Sequence, residues 1–222
     1  MADLLLLPVL TAGTGVVMAL LARPVLLRLP EPADAGDKAA YRDLPTRRFL
    51  LGCVLAAMAA QGLAVLALPP EVLPLWTVLA TLGVLLAAID ARTTWLPLRL
   101  THAAWWLMAL AGGGALALGL PVADALRSLA GAGVAGALYL VIWAVTRGGF
   151  GFGDVRFAPL LGAATASHSW SLLVWGLTLG TAVGAVHGAG RLARRRVGGF
   201  PYAPSMLAGC YLAVVALMLL LP

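Results

Sequence analysis

The chain has 222 residues, 62% of them hydrophobic and 11% charged, a balance that excludes a water-facing globular surface and describes a polytopic membrane protein. The net charge of +6 does not point to nucleic acid, because no basic run is interleaved with exposed aromatics and the charges fall in short loops between apolar segments. The two cysteines, Cys53 and Cys210, sit inside apolar segments and form no C-x-x-C pair, so they read as packing residues, with no disulfide and no zinc site.

Seven apolar runs reach the length of about 20 residues needed to cross a bilayer: near 3 to 22, 49 to 69, 72 to 89, 100 to 119, 124 to 146, 169 to 189 and 203 to 221. An eighth, roughly 155 to 167, is shorter and crosses only with its flanks or partly re-enters. The expected fold is therefore all-α, a membrane bundle of about eight transmembrane helices. Residues 1–48 read as an N-terminal anchor helix with a cytoplasmic loop, and 49–222 as the membrane-embedded domain. Ala22-Arg23-Pro24 leads into a charged loop instead of a small-residue cleavage site, so the first helix is expected to be retained.

Basic residues set the orientation. With the N-terminus outside, the inside loops hold 14 of the 15 Lys and Arg, from Arg23 and Arg28 through Arg92, Arg99, Arg147 and Arg156 to Arg194, Arg195 and Arg196, and only Arg127 lies near an outside end. The outside connections, such as Pro69-Pro70-Glu71 and Ser167-His168-Ser169, read as simple turns.

The stretch from Gly148 to Asp154 puts four glycines in six residues ahead of one carboxylate at the mouth of the short run. Glycine allows positive φ and close backbone approach, which suits a turn where a substrate or a second helix comes near Asp154. The plain alternative is a loop whose Asp caps the next helix. Asp90 ends the third run, in Ile89-Asp90-Ala91-Arg92, and the topology puts it on the same side as Asp154. Of nine acids these two alone are placed to form a pair at one membrane level. Two carboxyl groups sharing a site cannot both ionise cheaply, so one is held protonated while the other acts as base, the arrangement of an aspartyl protease. No G-x-S-x-G or H-E-x-x-H is present, and His102, His168 and His187 are scattered.

These residues resemble a known family. Ile89-Asp90-x-Arg92 with Pro97, and Gly151-x-Gly153-Asp154-Val155-Arg156, are similar to the two signatures of the type IV prepilin peptidases, the G-x-G-D integral-membrane aspartyl proteases. Gly199-Phe200-Pro201-Tyr202-Ala203-Pro204 is similar to that family's Phe-Gly-Pro segment before the last span. The Pro-Ala-Leu motif of the presenilin-like proteases is missing. The resemblance implies that Asp90 and Asp154 are catalytic, and that Gly151, Gly153, Arg92 and Pro97 bind substrate. It further implies pilin-like precursors as partners, cut on the cytoplasmic side of a bacterial cytoplasmic membrane just before an apolar helix. Leu98 replaces the Asp or Asn often found after the first motif's Pro, and Arg156 replaces a usual Lys.

No cofactor or metal is expected. The loop from Arg23 to Arg48 has no cysteine, and a structural zinc site needs about four Cys or His ligands, so the methyltransferase activity of bifunctional family members is not expected. Glu31 to Asp37 reads as a flexible solvated linker. The sequence leaves the oligomeric state and the particular precursor open. The alternative function is a small proton- or cation-coupled transporter with Asp90 and Asp154 as relay. Its support is glycine: Gly112-Gly113-Gly114, Gly131 with Gly133 and Gly136, and Gly180, Gly184 and Gly188, which read better as close helix packing. Coupling carboxylates belong near the midplane in repeated halves, and neither condition holds here.

Overall fold

The computed structural model describes residues 2–31, 39–147, 151–195 and 200–220. The acidic stretch at 32–37, Lys38, the first part of the glycine loop at 148–150, Arg196 and Gly199 lie outside the described residues.

Among the described residues the chain forms eight helices and no strand, the expected all-α bundle. They are α1 (Ala2–Arg28), α2 (Arg47–Ala67), α3 (Pro70–Thr93), α4 (Leu98–Ala117), α5 (Val122–Val145), α6 (Phe152–His168), α7 (Trp170–Ala193) and α8 (Ala203–Leu220). Five of them, α1, α2, α3, α5 and α7, are long and apolar enough to cross a membrane. The loop expected from Arg23 starts later, because α1 continues through Pro24 to Arg28. A proline inside a helix forfeits one hydrogen bond, here the one to the carbonyl of Leu20, and tertiary packing tolerates that near a helix end.

The helix ends follow local chemistry. Thr46 caps α2, its hydroxyl accepting from Phe49 N–H at 3.3 Å, and Ser169 caps α7, accepting from Leu172 N–H at 3.1 Å. Ser169 alone separates α6 from α7, so that connection is as short as expected. Prolines open α3 at Pro70 and precede α4 and α5 at Pro97 and Pro121, where a missing N–H costs nothing.

Helix α3 is the axis of the bundle: 72% of its apolar window is buried, against 22–28% for the other four long helices. A π-helical stretch, Leu79–Gly83, interrupts it midway. Helix α6 is the second interior element. Its 17 residues rise about 25 Å, short of a hydrocarbon core of about 30 Å, but most of its circumference is buried in protein, so its length need not match the bilayer.

Close approach between helices uses small residues. A Cβ on Gly131 would overlap Ala166 and meet the Gly162 carbonyl at 2.7 Å, which sets α5 against α6, and Gly180 packs in the same way against Ser205 and Met206 of α8. Gly136 and Gly184 also abut neighbouring side chains, Pro159 and Tyr202. Among the described residues helix packing does not account for Gly112, Gly113, Gly114, Gly133 or Gly188, where an added Cβ would meet nothing within 4 Å. Cys53 and Cys210 are free and buried.

Arg127, the basic residue that departs from the charge bias, has a structural task. Its guanidinium donates to the carbonyls of Ala166 (2.6 Å), Ser167 (2.7 Å) and His168 (2.8 Å) and pairs with Asp124. It thereby satisfies the carbonyls left open at the C-terminus of α6 and meets the negative end of that helix dipole. Arg127→Ala is expected to cost about 2–3 kcal/mol, read as a lower thermal midpoint in detergent, with Arg127→Lys recovering little because an ammonium lacks the planar fork.

Candidate active site

The last turn of α3 carries Asp90, and the chain then reverses. Thr94 adopts left-handed geometry (φ 57°, ψ 29°), unusual for a β-branched residue, and its N–H donates to the Asp90 carbonyl at 2.7 Å. The Thr93 hydroxyl donates to the Ile89 carbonyl at 2.9 Å and accepts from Trp95 N–H at 3.2 Å, which pins the turn. Trp95 and Leu96 then lead to Pro97 and α4. The turn therefore brings Trp95 and Leu96 back beside the end of α3.

The second carboxylate arrives from α6. Gly151 precedes that helix and Asp154 lies in its first turn, yet no side chain caps the helix, so the capping reading of Asp154 does not apply. Gly151 is not in the positive-φ region (φ −66°, ψ 129°). Its requirement is space: a Cβ there would lie 2.9 Å from Asp154 Oδ2. At Gly153 a Cβ would lie 3.0 Å from Leu96 Cβ. The two glycines of G-x-G-D thus make room, one for the carboxylate and the other for the turn that follows Asp90.

Asp90 and Asp154 line one cavity of about 280 Å³, together with Gly151, Gly153, Thr94, Trp95 and Leu96. Both acids are buried, at 4% and 6% exposure. Asp90 Oδ2 accepts the backbone N–H of Ala203 at 3.0 Å, from the first turn of α8. A helix N-terminus offers unpaired N–H groups and the positive end of the dipole, so this contact favours negative charge on Asp90. Among the described residues Asp154 Oδ1 has no hydrogen-bond partner. Phe152 and Arg156 complete the lining, with the Arg156 guanidinium 4.6 Å from the Phe152 ring centroid and Phe152 edge-on to Trp143.

The expected site residues divide. Asp90, Asp154, Gly151 and Gly153 meet at the cavity, whereas Arg92 is exposed and lines a different groove, and Pro97 is buried at the start of α4 outside the cavity lining. Arg92 follows Asp90 by two residues on a helix, about 200° around the axis, so it turns away. The three histidines stay apart, and among the described residues no group of three or more His, Cys, Asp or Glu is placed to hold a metal ion.

Tyr41 was not singled out from the sequence. It sits in a short helical turn of the α1–α2 connection, buried to 2% exposure, and its N–H and that of Arg42 donate to the two Glu31 oxygens at 3.0 and 3.2 Å. Burial pushes its phenol up to about 12, helped by the negative charges of Glu31 and Asp90. A raised acid contributes stability that is complete below its unfolded value of 10.0 and is lost as pH rises through about 12. Thermal melts are therefore expected to show wild type losing stability above pH 10 more steeply than Tyr41→Phe.

No curated protein and no solved structure matches the chain. A protein-family model, described as the type IV leader peptidase family, matches residues 76–189. That span is 114 of the 222 residues, just over half, and holds both aspartates, both glycines and the turn between Asp90 and α4. The chain belongs to the type IV leader peptidase family.

Proposed function

We propose that the chain is an integral-membrane aspartyl endopeptidase that removes the basic leader of pilin-like precursors, type IV prepilins or pseudopilins, at the cytoplasmic face of a bacterial cytoplasmic membrane. The observation that carries this reading is that two buried acids 64 residues apart, each in its own motif, line one cavity at one end of the bundle. In the reaction, one carboxylate takes a proton from a water as its oxygen attacks the scissile carbonyl carbon. The carboxylic acid opposite protonates the departing amine as the C–N bond breaks, and the proton taken from water restores the pair.

The roles can be divided by the hydrogen bonds. Ala203 N–H supports charge on Asp90, which makes Asp90 the base that activates water. Asp154, whose Oδ1 meets no donor among the described residues, carries the shared proton and protonates the leaving group. Both acids lie at helix ends on one side of the bundle, which supports hydrolysis there over charge relay through the midplane.

The direct test is incubation of the purified protein with a membrane-embedded pilin-like precursor, followed by sequencing of the new N-terminus. A product starting just before the apolar helix supports the reading; an uncut precursor with coupled ion flux in proteoliposomes would favour a transporter. Topology provides a further prediction: reporter fusions at 90–99, 147–156 and 190–202 should report cytoplasm, and those at 69–72 and 120–123 the outside. Residues 90 and 154 on opposite faces would sink the proposal.

A further inference from the structure

Two apolar grooves run along the bundle near the aspartates, the first from their level and the second from farther along, and their linings differ in charge. The first, about 470 Å³, lies between α2, α3 and α8, with Arg48 and Arg92 among its lining residues. Both are exposed, and neither is paired with a carboxylate among the described residues. The second, about 310 Å³, lies between α4, α5 and α6 and has no charged side chain among the described residues of its lining. Its one hydroxyl, on Ser128, is already committed to the Ala163 carbonyl at 2.8 Å.

The second groove is joined to the aspartate cavity by a single helix. From α6, Asp154 and Arg156 line the cavity, and Pro159, Leu160 and Ala163 line the groove. At a helical rise of 1.5 Å per residue, the groove begins about 7 Å beyond Asp154 and reaches at least about 13 Å. Trp105 ties the two together: it lines the groove, and its indole N–H donates to the Arg156 carbonyl at 2.9 Å.

We propose that the second groove receives the first turns of the substrate's apolar helix, the segment that follows the cut. This rests on the endopeptidase reading and deepens it by assigning the enzyme's substrate-docking face. A peptide bond held at the aspartates has a basic leader on one side and an apolar helix on the other, so the helix must leave the cavity along the protein surface. Arg156 stands at the aspartate cavity whichever way the helix leaves, but the first groove would add Arg48 and Arg92 beside the basic leader, and like charges repel. In the second groove the helix meets an uncharged apolar wall that starts on the same element as Asp154.

The test uses the full chain as an Asp154→Asn trap, with a photo-cross-linking residue at Ala109 or Ala132 in the second groove, or at Ala56 or Ala208 in the first. Adducts with a membrane-embedded pilin-like precursor are expected from Ala109 and Ala132, and equal or stronger adducts from Ala56 and Ala208 overturn the docking face. Independently, Ala132→Trp should lower the ratio of precursor cleavage to cleavage of a short leader peptide lacking the helix by about tenfold, since the loss is one of helix binding. An unchanged ratio overturns the proposal. A wild-type protein that cuts neither substrate removes the endopeptidase reading and the docking face with it. Cleavage with adducts confined to the first groove removes only the docking face.

Discussion

Asp90→Asn and Asp154→Asn are each expected to lower precursor cleavage by about 10³-fold or more, while the protein still inserts and accumulates. Each replacement keeps nearly the same volume. An Asn at position 90 can still present its carbonyl oxygen to Ala203 N–H, so the junction between α3 and α8 survives and the chemistry alone is lost. Because the pair works as a unit, the double variant should be scarcely slower than either single one. Asp43→Asn, at an exposed acid in the α1–α2 connection, is the control for general charge effects and should change cleavage little. The pH–rate profile of wild type should be bell-shaped, with two apparent pKa values that belong to the dyad as a whole. Near wild-type cleavage by both single variants would remove the catalytic role from Asp90 and Asp154.

Much of this arrangement was legible in the sequence because it is local. Apolar runs separated by Pro, Gly and basic residues mark the helices directly, and an acid at the end of a hydrophobic run stands out. The position of Arg92 was also legible: two residues along a helix from Asp90 puts it on another face of α3, outside the aspartate cavity. What lies deeper has no local signature. The donor to Asp90 is a backbone N–H 113 residues away, and every residue but proline has one, so nothing about Ala203 announces it. The same holds for the three carbonyls that hold Arg127, which from its charge alone reads only as an exception to the topology rule. Tyr41 reaches the neighbourhood of Asp90 through a loop that Glu31 fastens, a contact between residues ten apart that no periodicity encodes. The glycines of G-x-G-D were visible, but not their reason. Positive φ and close approach both fit the pattern, and only Gly151 with its extended φ of −66° decides for close approach.

That distinction makes Gly151→Ala a sharp test of the site. Alanine adopts φ −66°, ψ 129° without strain, so a backbone explanation predicts almost no effect. Close approach predicts a large one, because the new methyl would lie 2.9 Å from Asp154 Oδ2, inside any ordinary carbon–oxygen contact. Asp154 is buried and lies in the first turn of a helix enclosed by protein, so the relief open to it is rotation of the carboxylate, which moves its oxygens from the place they hold in the cavity shared with Asp90. Misplacing a catalytic group by about 1 Å typically costs about 10²-fold, and that is the loss expected in kcat, with accumulation and thermal midpoint little changed. Gly153→Ala presses instead on Leu96 Cβ at 3.0 Å, so its cost should fall on the turn after Asp90 and appear in stability as well as in rate. Gly133→Ala is the control, since a methyl there meets nothing within 4 Å, and in the middle of α5 it should stabilise by about 0.5–1 kcal/mol with cleavage unchanged. If Gly151→Ala cleaves at the wild-type rate while Gly133→Ala behaves as expected, the carboxylate of Asp154 does not work from the position it holds beside Gly151, and the geometry assigned to the dyad is wrong.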